Sequence, residues 1–355
     1  MTIDDLIRAR LTNQQLTNRS IKNVADLVSW FGAVQAQDYA GAKWGLGQRL
    51  GINDKEIEEA FNSGEILRTH IMRPTWHFVY RNDIKWMQKL TSPRVNQIMS
   101  YYNRLLSLDK TFFDKTNRII SSSLKGGKFL TRLEIAKILE ENNISIRSQK
   151  LAHVVSQAEL DGIICSGPRT GKQFTYALLA ERAPEAKDLN KKESLKELAE
   201  RFFQSHGPAT AKDFVWWSGL TMVDAKEAIG LAKLENEDIG GKKYWYVKPL
   251  EKVTRSNLFL LPNYDEYTIA YKDRDAFLAP EVVRYFKAQG NASFWNAIIF
   301  DGKIIGMWKR TIQKDSVIIS IKLFNGVGSE VKKDLEKACS GYGRFWNLKP
   351  VINIH

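Results

Sequence analysis

Two glutamines one residue apart, Gln35 and Gln37, stand in the stretch FGAVQAQDYAGAKWG, residues 31 to 45. A glutamine amide is a poor acid and a poor base, but it offers a carbonyl acceptor and two N–H donors. Two such amides facing one cavity can hold a water molecule between them and fix its orientation. Side chains two apart on a helix point about 200° away from each other, so the pair can share a cavity only where the chain is extended. The apolar helical stripe of Leu27, Phe31 and Val34 stops just before them, so the helix is expected to end within about two residues of Val34. Asp38 follows as a rival base, and on an extended chain it should point away from Gln37.

A second stretch, HIMRPTWHF, residues 70 to 78, alternates with period two. Arg73, Thr75 and His77 would share one face and Met72, Trp76 and Phe78 the other, giving a strand with an apolar back and a polar front. Such a strand suits the wall of a polar cleft. Pro74 also suits an edge strand beside solvent. A third stretch, GPRTGK at 167 to 172, is a near miss to a phosphate-binding loop: it has three residues between its glycines where four are needed, and it lies between two strands. As a hairpin tip it would display Arg169 and Lys172. The five histidines, at 70, 77, 153, 206 and 355, are scattered, with no Cys pair and no His-x-x-x-His, so neither a metal nor another cofactor is expected.

The elements that must position these residues repeat along the chain. LTRLEIAKIL at 130–139 carries Thr131 and Glu134 as a capping box. SQKLAHVVSQAELDG follows as a second helix with Ser148 as its cap, and IICSGPRTGKQFTYALL reads as strand, turn, strand. Helix, helix, hairpin is the order of a winged helix-turn-helix. The order returns 79 residues on, from Thr131 to Thr210: ATAKDFVWWSG with Thr210 and Asp213, LTMVDAKEAIGLAKLE with Thr221 and Asp224, and GGKKYWYV as the wing bearing Lys242 and Lys243. The charged segment 179–198 between them reads as a linker. The first hundred residues fit the plan more loosely, with DKEIEEAFNSGEI as a helix and LRTHIMRPTWHFVY as a strand pair; a helical stretch from Asn82 to Leu124, interrupted at Pro93, leads on. From about Arg255 the chain turns β-rich, with Asp301-Gly302 where a type I′ hairpin would need it and a closing helix from Ser329 to Cys339. The expected architecture is α+β: three winged units over 1–115, 116–180 and 181–254, then a small C-terminal β-barrel over 255–355.

The chain has 355 residues, with 53 Lys and Arg against 40 Asp and Glu, a net charge of +13. That excess favours a polyanionic partner through counterion release. Its 17 Phe, 12 Tyr and 10 Trp require real cores, and two cysteines cannot form a disulfide framework. No apolar run approaches the roughly 18 residues of a membrane span, and the charged N-terminus lacks a signal-peptide stretch; a cytoplasmic protein is expected. Arg73, Thr75, His77, Arg169, Lys172, Lys242 and Lys243 are therefore the DNA-binding candidates, and Gln35 and Gln37 the catalytic ones. A non-catalytic winged-helix transcription regulator is the alternative, and a binding protein for alkylating natural products a third reading.

VQAQDYAGAKWGLGQR, RTHIMRPTWHFV, LLPNYDEYTIAYKDR and DGKIIGMWKR, in that order, resemble the AlkZ-like family of bacterial DNA glycosylases, within the winged-helix DNA-binding proteins. The resemblance runs over nearly the whole chain. It implies three tandem winged helices followed by a β-barrel, and a catalytic motif of glutamine, an apolar residue, then glutamine or aspartate, which Gln35, Ala36 and Gln37 match. It further implies excision of alkylated purines and, for some members, unhooking of interstrand crosslinks. A guanine alkylated at N7 is already cationic, so its glycosidic bond needs no general acid; what remains is to place a water at the sugar carbon and favour an oxocarbenium-like transition state. The expected partner is double-stranded DNA containing alkylated purines, met by a monomer.

Overall fold

The computed structural model describes residues 1–147, 149–248, 258–279, 282–284 and 296–355. Helix α1 (Ile3–Asn13) opens on a reciprocal Thr2/Asp5 capping box. Helix α2 (Val24–Phe31) stops at Gly32, whose φ of 80° breaks the helical run, and the chain enters strand β1 (Ala33–Gln35). The helix thus ends earlier than the apolar stripe implies, and Val34 is buried as a strand residue, not a helical one. Helices α3 (Tyr39–Leu50) and α4 (Asp54–Ser63) follow, then strands β2 (Ile66–Ile71) and β3 (Arg73–Tyr80). The three strands form an antiparallel sheet in the order β1-β3-β2. Its register sets Gln35 opposite His77 on β3, and His77 opposite Thr69 on β2.

Helix α5 (Ile84–Leu105) runs straight through Pro93, which lies inside it; the expected interruption there does not occur. The break comes at Ser107, with φ of 54°, before α6 (Lys110–Leu124) starts on its Asp109 cap. A proline removes one backbone donor from a helix, and this 22-residue helix has buried contacts on both sides of it, at Ser92 and Val95.

Strand β4 (Leu130–Thr131), helices α7 (Arg132–Glu141) and α8 (Lys150–Leu160), and strands β5 (Ile164–Ser166) and β6 (Thr175–Leu178) make the middle unit, sheet order β4-β6-β5. Its Thr131/Glu134 capping box is present; Ser148, expected to cap α8, lies outside the described residues. The segment 179–198, read above as a linker, is largely helical: it holds α9 (Leu179–Arg182) and the start of α10 (Lys191–Ser205), capped by Asn190 and Glu193. Helix α10 buries Leu195, Leu198, Phe202 and Phe203, and that apolar stripe outweighs the charge that made the segment look solvated. Helices α11 (Ala211–Ser218) and α12 (Met222–Leu231) and the hairpin of β7 (Glu235–Ile239) and β8 (Lys242–Tyr246) complete the third unit, with Thr210/Asp213 as a full capping box.

The C-terminal part comprises β9 (Leu258–Leu260), α13 (Glu266–Ile269), β10 (Ala297–Phe300), β11 (Lys303–Ile312), β12 (Ser316–Leu323), α14 (Ser329–Trp346) and β13 (Lys349–Ile354). Among the described residues its strands form a curled sheet of linear order β13-β12-β11-β10-β9, in place of the closed barrel expected. Helix α14 runs past Cys339 to Trp346 and buries Leu335, Cys339 and Tyr342; the chain then returns as β13, parallel to β12. One apolar core joins this sheet and α14 to α2, α3 and β3. A second joins α1, α5, α10 and α11 to Tyr267 and Tyr271, and a third joins α6 to the middle unit.

The β10–β11 turn shows how tightly these parts meet. Asp301 and Gly302 have φ of 47° and 75°, the two positive values a type I′ turn needs. The Gly302 carbonyl accepts the Tyr267 hydroxyl at 2.8 Å, and a Cβ on Gly302 would overlap Ile7 of α1 and Tyr267. Gly302→Ala therefore adds backbone strain to overpacking, and thermal or urea unfolding should show a loss of about 2 kcal/mol or more.

Candidate active site

Three backbone polar groups across the two glutamines have a fixed partner from another part of the chain. Gln35 N donates to Glu266 Oε1 at 2.8 Å. Ala36 N donates to the Trp76 carbonyl at 2.7 Å, and the Ala36 carbonyl accepts Arg68 Nε at 3.0 Å. The side chains are held as well: Gln35 Oε1 accepts Arg73 Nη2 at 3.0 Å, and Gln37 Oε1 accepts the Trp76 amide at 3.4 Å. Gln35 is 7% exposed, whereas Gln37 is exposed. Strand β1 lies along β3 and ends at Gln35, Ala36 still bonds to β3, and the chain bends at Gln37, short of the fully extended run that the spacing of the two amides called for.

Two buried charges that sequence reasoning missed hold this segment. Arg68, on β2, is stacked between Trp76 and Phe174, its Cζ 4.4 and 4.6 Å from the ring centroids. Burial pulls its guanidinium down to about 10, partly offset by Glu159, so it stays charged at neutral pH. Glu266 accepts from Gln35 N, from His206 Nε2 at 3.2 Å and from Trp217 Nε1 at 3.0 Å. Burial pushes its carboxyl up, but His206, the Gln35 amide and Arg73 more than reverse that and hold it below the ordinary range. Both residues fall within the stretches of resemblance, RTHIMRPTWHFV and LLPNYDEYTIAYKDR. A charged residue inside an otherwise apolar run was the signal available; its partner could not be read locally.

The polar face of β3 forms as expected but is more enclosed. Arg73 and Thr75 are half-buried and His77 is fully buried, so His77 has no surface to offer a phosphate. Arg73 Nε, Thr75 Oγ1 and His77 Nε2 have no hydrogen-bond partner among the described residues. Such orphaned groups are costly and are tolerated where water or a ligand meets them. Trp76, assigned to the apolar back, is half-buried, with Arg68 on its ring and the His70 ring 4.5 Å away.

Asp38 is occupied elsewhere. Its carboxylate caps α3 by accepting from Gly41 N at 3.0 Å, and it pairs with Arg310 at 3.4 Å. Arg169 does not project from its hairpin: its side chain is 16% exposed, stacked 4.6 Å from Phe174 and 5.2 Å from Tyr39, and 3.9 Å from Glu58. Lys172 and Lys243 are exposed. Lys242 is paired with Asp273 at 2.6 Å and Asp275 at 3.3 Å, and these hydrogen bonds raise its pKa. The structure thus gathers Gln35, Gln37, Arg73, Thr75 and His77 and leaves the other candidates on separate hairpins. Wider hollows lie elsewhere, one beside Trp44 and Arg344 and one beside Asn96 and Asp114, and neither is lined by Gln35 or Gln37. No group of His, Cys, Asp and Glu suited to a metal occurs among the described residues, and none of their helices is long and apolar enough to cross a membrane.

His77 makes the site a pH-dependent part of the fold. Burial, with Arg73 adding repulsion, lowers its pKa to about 3. Because the folded value lies below the unfolded one of about 6.5, the unfolded chain binds the extra proton. The stabilisation is complete above pH 6.5 and is lost as the pH falls towards 3. Urea unfolding between pH 7 and 4.5 should show a loss on the order of a few kcal/mol, and His77→Asn should lose measurably less over the same range.

The pattern of the family described as DNA glycosylase AlkZ-like matches residues 28–345. Among solved structures, the DNA glycosylase AlkZ of Streptomyces sahachiroi superposes with a TM-score of 0.84 at 18% identity, covering 100% of both chains. A search of curated proteins by sequence found no match. The family match spans the β1 glutamines, the β2–β3 pair, the Glu266 segment and β11, the four stretches that meet at the site. This removes the reading as a regulator without catalysis: the chain belongs to the AlkZ-like DNA glycosylases, and it is a DNA glycosylase.

Proposed function

We propose that this glycosylase hydrolyses the N-glycosidic bond of cationic alkylated purines in double-stranded DNA, as a monofunctional enzyme acting as a monomer without cofactor, with a water positioned by Gln35 and Gln37. The observation that carries the reading is the pinned Gln35-Ala36-Gln37 segment at the end of β1. Arg73 takes the Gln35 carbonyl oxygen, which leaves the amide nitrogen as the donor to a water oxygen. The exposed Gln37 supplies a carbonyl acceptor for a water proton. The arrangement orients the nucleophile without setting a full negative charge beside the DNA backbone, and the leaving base is already activated by its own charge. An adduct joining two strands through the same ring nitrogen presents the same cationic bond, so unhooking of interstrand crosslinks falls within this chemistry. The helix-helix-hairpin units over 1–115, 116–180 and 181–254 are read as winged helices that carry the duplex, with Lys172 and Lys243 on their wings and the C-terminal sheet closing the site.

Release of 7-methylguanine from a duplex, read by alkaline strand cleavage, tests the activity. Gln37→Ala should cut the rate by about 100-fold or more while leaving DNA affinity nearly unchanged, because a group that places the water acts mainly in the transition state. Gln35→Ala should also slow release, and Gln37→Asp should be milder than Gln37→Ala. Asp38→Asn should cost little, since asparagine is as good a helix cap. Full activity in Gln37→Ala with none in Asp38→Asn would overturn the assignment.

The wing makes a separate prediction. Lys172→Ala should reduce the slope of log affinity against log salt by about 1. Arg169→Ala should instead show itself as lost stability, because its guanidinium is stacked against Phe174 and Tyr39. An unchanged slope in Lys172→Ala would remove that wing from the DNA.

A further inference from the structure

One large aromatic beside the glutamines is fixed in place and still open to solvent. Trp216, on α11, is 38% exposed. Its indole Nε1 donates to the Ile269 carbonyl at 2.8 Å, so the ring is fixed against the segment that carries Glu266. Arg73, which holds the Gln35 amide through Nη2, also donates through Nη1 to the Trp216 carbonyl at 3.4 Å. One guanidinium therefore spans the distance between the amide and the base of the tryptophan. Helix α11 has little freedom to withdraw: a Cβ on Gly219, its C-cap, would overlap the Met72 carbonyl beside Arg73.

The ring already attracts a cation. Lys272 places its ammonium 4.7 Å from the ring centroid, and Lys272 is itself exposed, so it can be displaced. An indole is the strongest aromatic partner for a cation, and the attraction grows as water is excluded. We propose that Trp216 reads the positive charge of the damaged base: the cationic alkylpurine takes the ring face that Lys272 occupies in the free enzyme, and Lys272 turns to a backbone phosphate. This inference rests on the proposed substrate class and adds the residue that distinguishes a cationic purine from a neutral one of the same shape.

The test uses two duplexes with near-identical adducts: cationic 7-methylguanine on a sugar fluorinated against hydrolysis, and neutral 7-methyl-7-deazaguanine on the same sugar. The wild-type protein should bind the cationic duplex about fivefold more tightly than the neutral one. Trp216→Leu should bring that ratio close to one, with affinity for undamaged DNA unchanged, and Trp216→Phe should keep part of the preference. Lys272→Met removes the competing cation and should leave the ratio at the wild-type value or above it. Melting by circular dichroism verifies that each variant is folded; if Trp216→Leu is not, Trp216→Phe and Lys272→Met decide. A wild-type ratio kept in Trp216→Leu, or a ratio lost in Lys272→Met, overturns the inference. If the wild type releases 7-methylguanine yet Trp216→Leu keeps the ratio, only the inference falls; if it neither releases the base nor prefers it, the substrate class falls with it.

Discussion

The hydrogen bond from Arg68 to the Ala36 carbonyl is the constraint on which the site depends. Gln35 N and Ala36 N are held on their own partners, and without Arg68 the carbonyl between the two glutamines would be unheld. Arg68 fixes it because it cannot itself move: its guanidinium plane is held between the Trp76 and Phe174 rings. The rings keep water away and the cation stays charged, so the bond is charge-assisted in a dry setting. Trp76 then serves twice, since its backbone carbonyl and amide are the partners of Ala36 N and the Gln37 side chain.

On the other side of the segment the sign of the charge reverses. Glu266 is a buried anion that accepts three donors, and isolated it would be costly. Arg73 offsets it and in doing so aims the Gln35 amide. The two glutamine amides are neutral, but the groups that orient them are ionic. That division has a physical logic. Charges kept behind the segment fix its geometry through short bonds.

Much of this was legible in the chain. Capping boxes at Thr131 and Thr210 and the Asp301-Gly302 turn each arise from neighbours in sequence and formed as read, and the period-two run through His77 holds from Arg73 onward, after a turn at Met72. The end of the helix before Gln35 followed from the loss of helical pattern alone, but the bend at Gln37 did not. What sequence could not supply was the set of long-range partners. Arg68 looked like one more residue of a strand, and Glu266 like part of a turn. Arg169 looked like a displayed cation until Phe174 and Tyr39 covered it. Helix α10 was hidden for the opposite reason: a high density of Lys and Glu concealed an apolar stripe that faces α2 and α12.

The bond between Gln35 and Glu266 crosses 231 residues of chain, and this has a consequence for synthesis. The N-terminal part of the chain holds all of β1, β2 and β3, and with them both glutamines, Arg68 and Arg73. Glu266 arrives only when three quarters of the chain has been made. Until then the Gln35 amide lacks its acceptor and Arg73 its counter-charge, so the nascent protein can gather the glutamines without a finished site. The last contacts of the glutamine segment are thereby tied to synthesis of the far end of the chain.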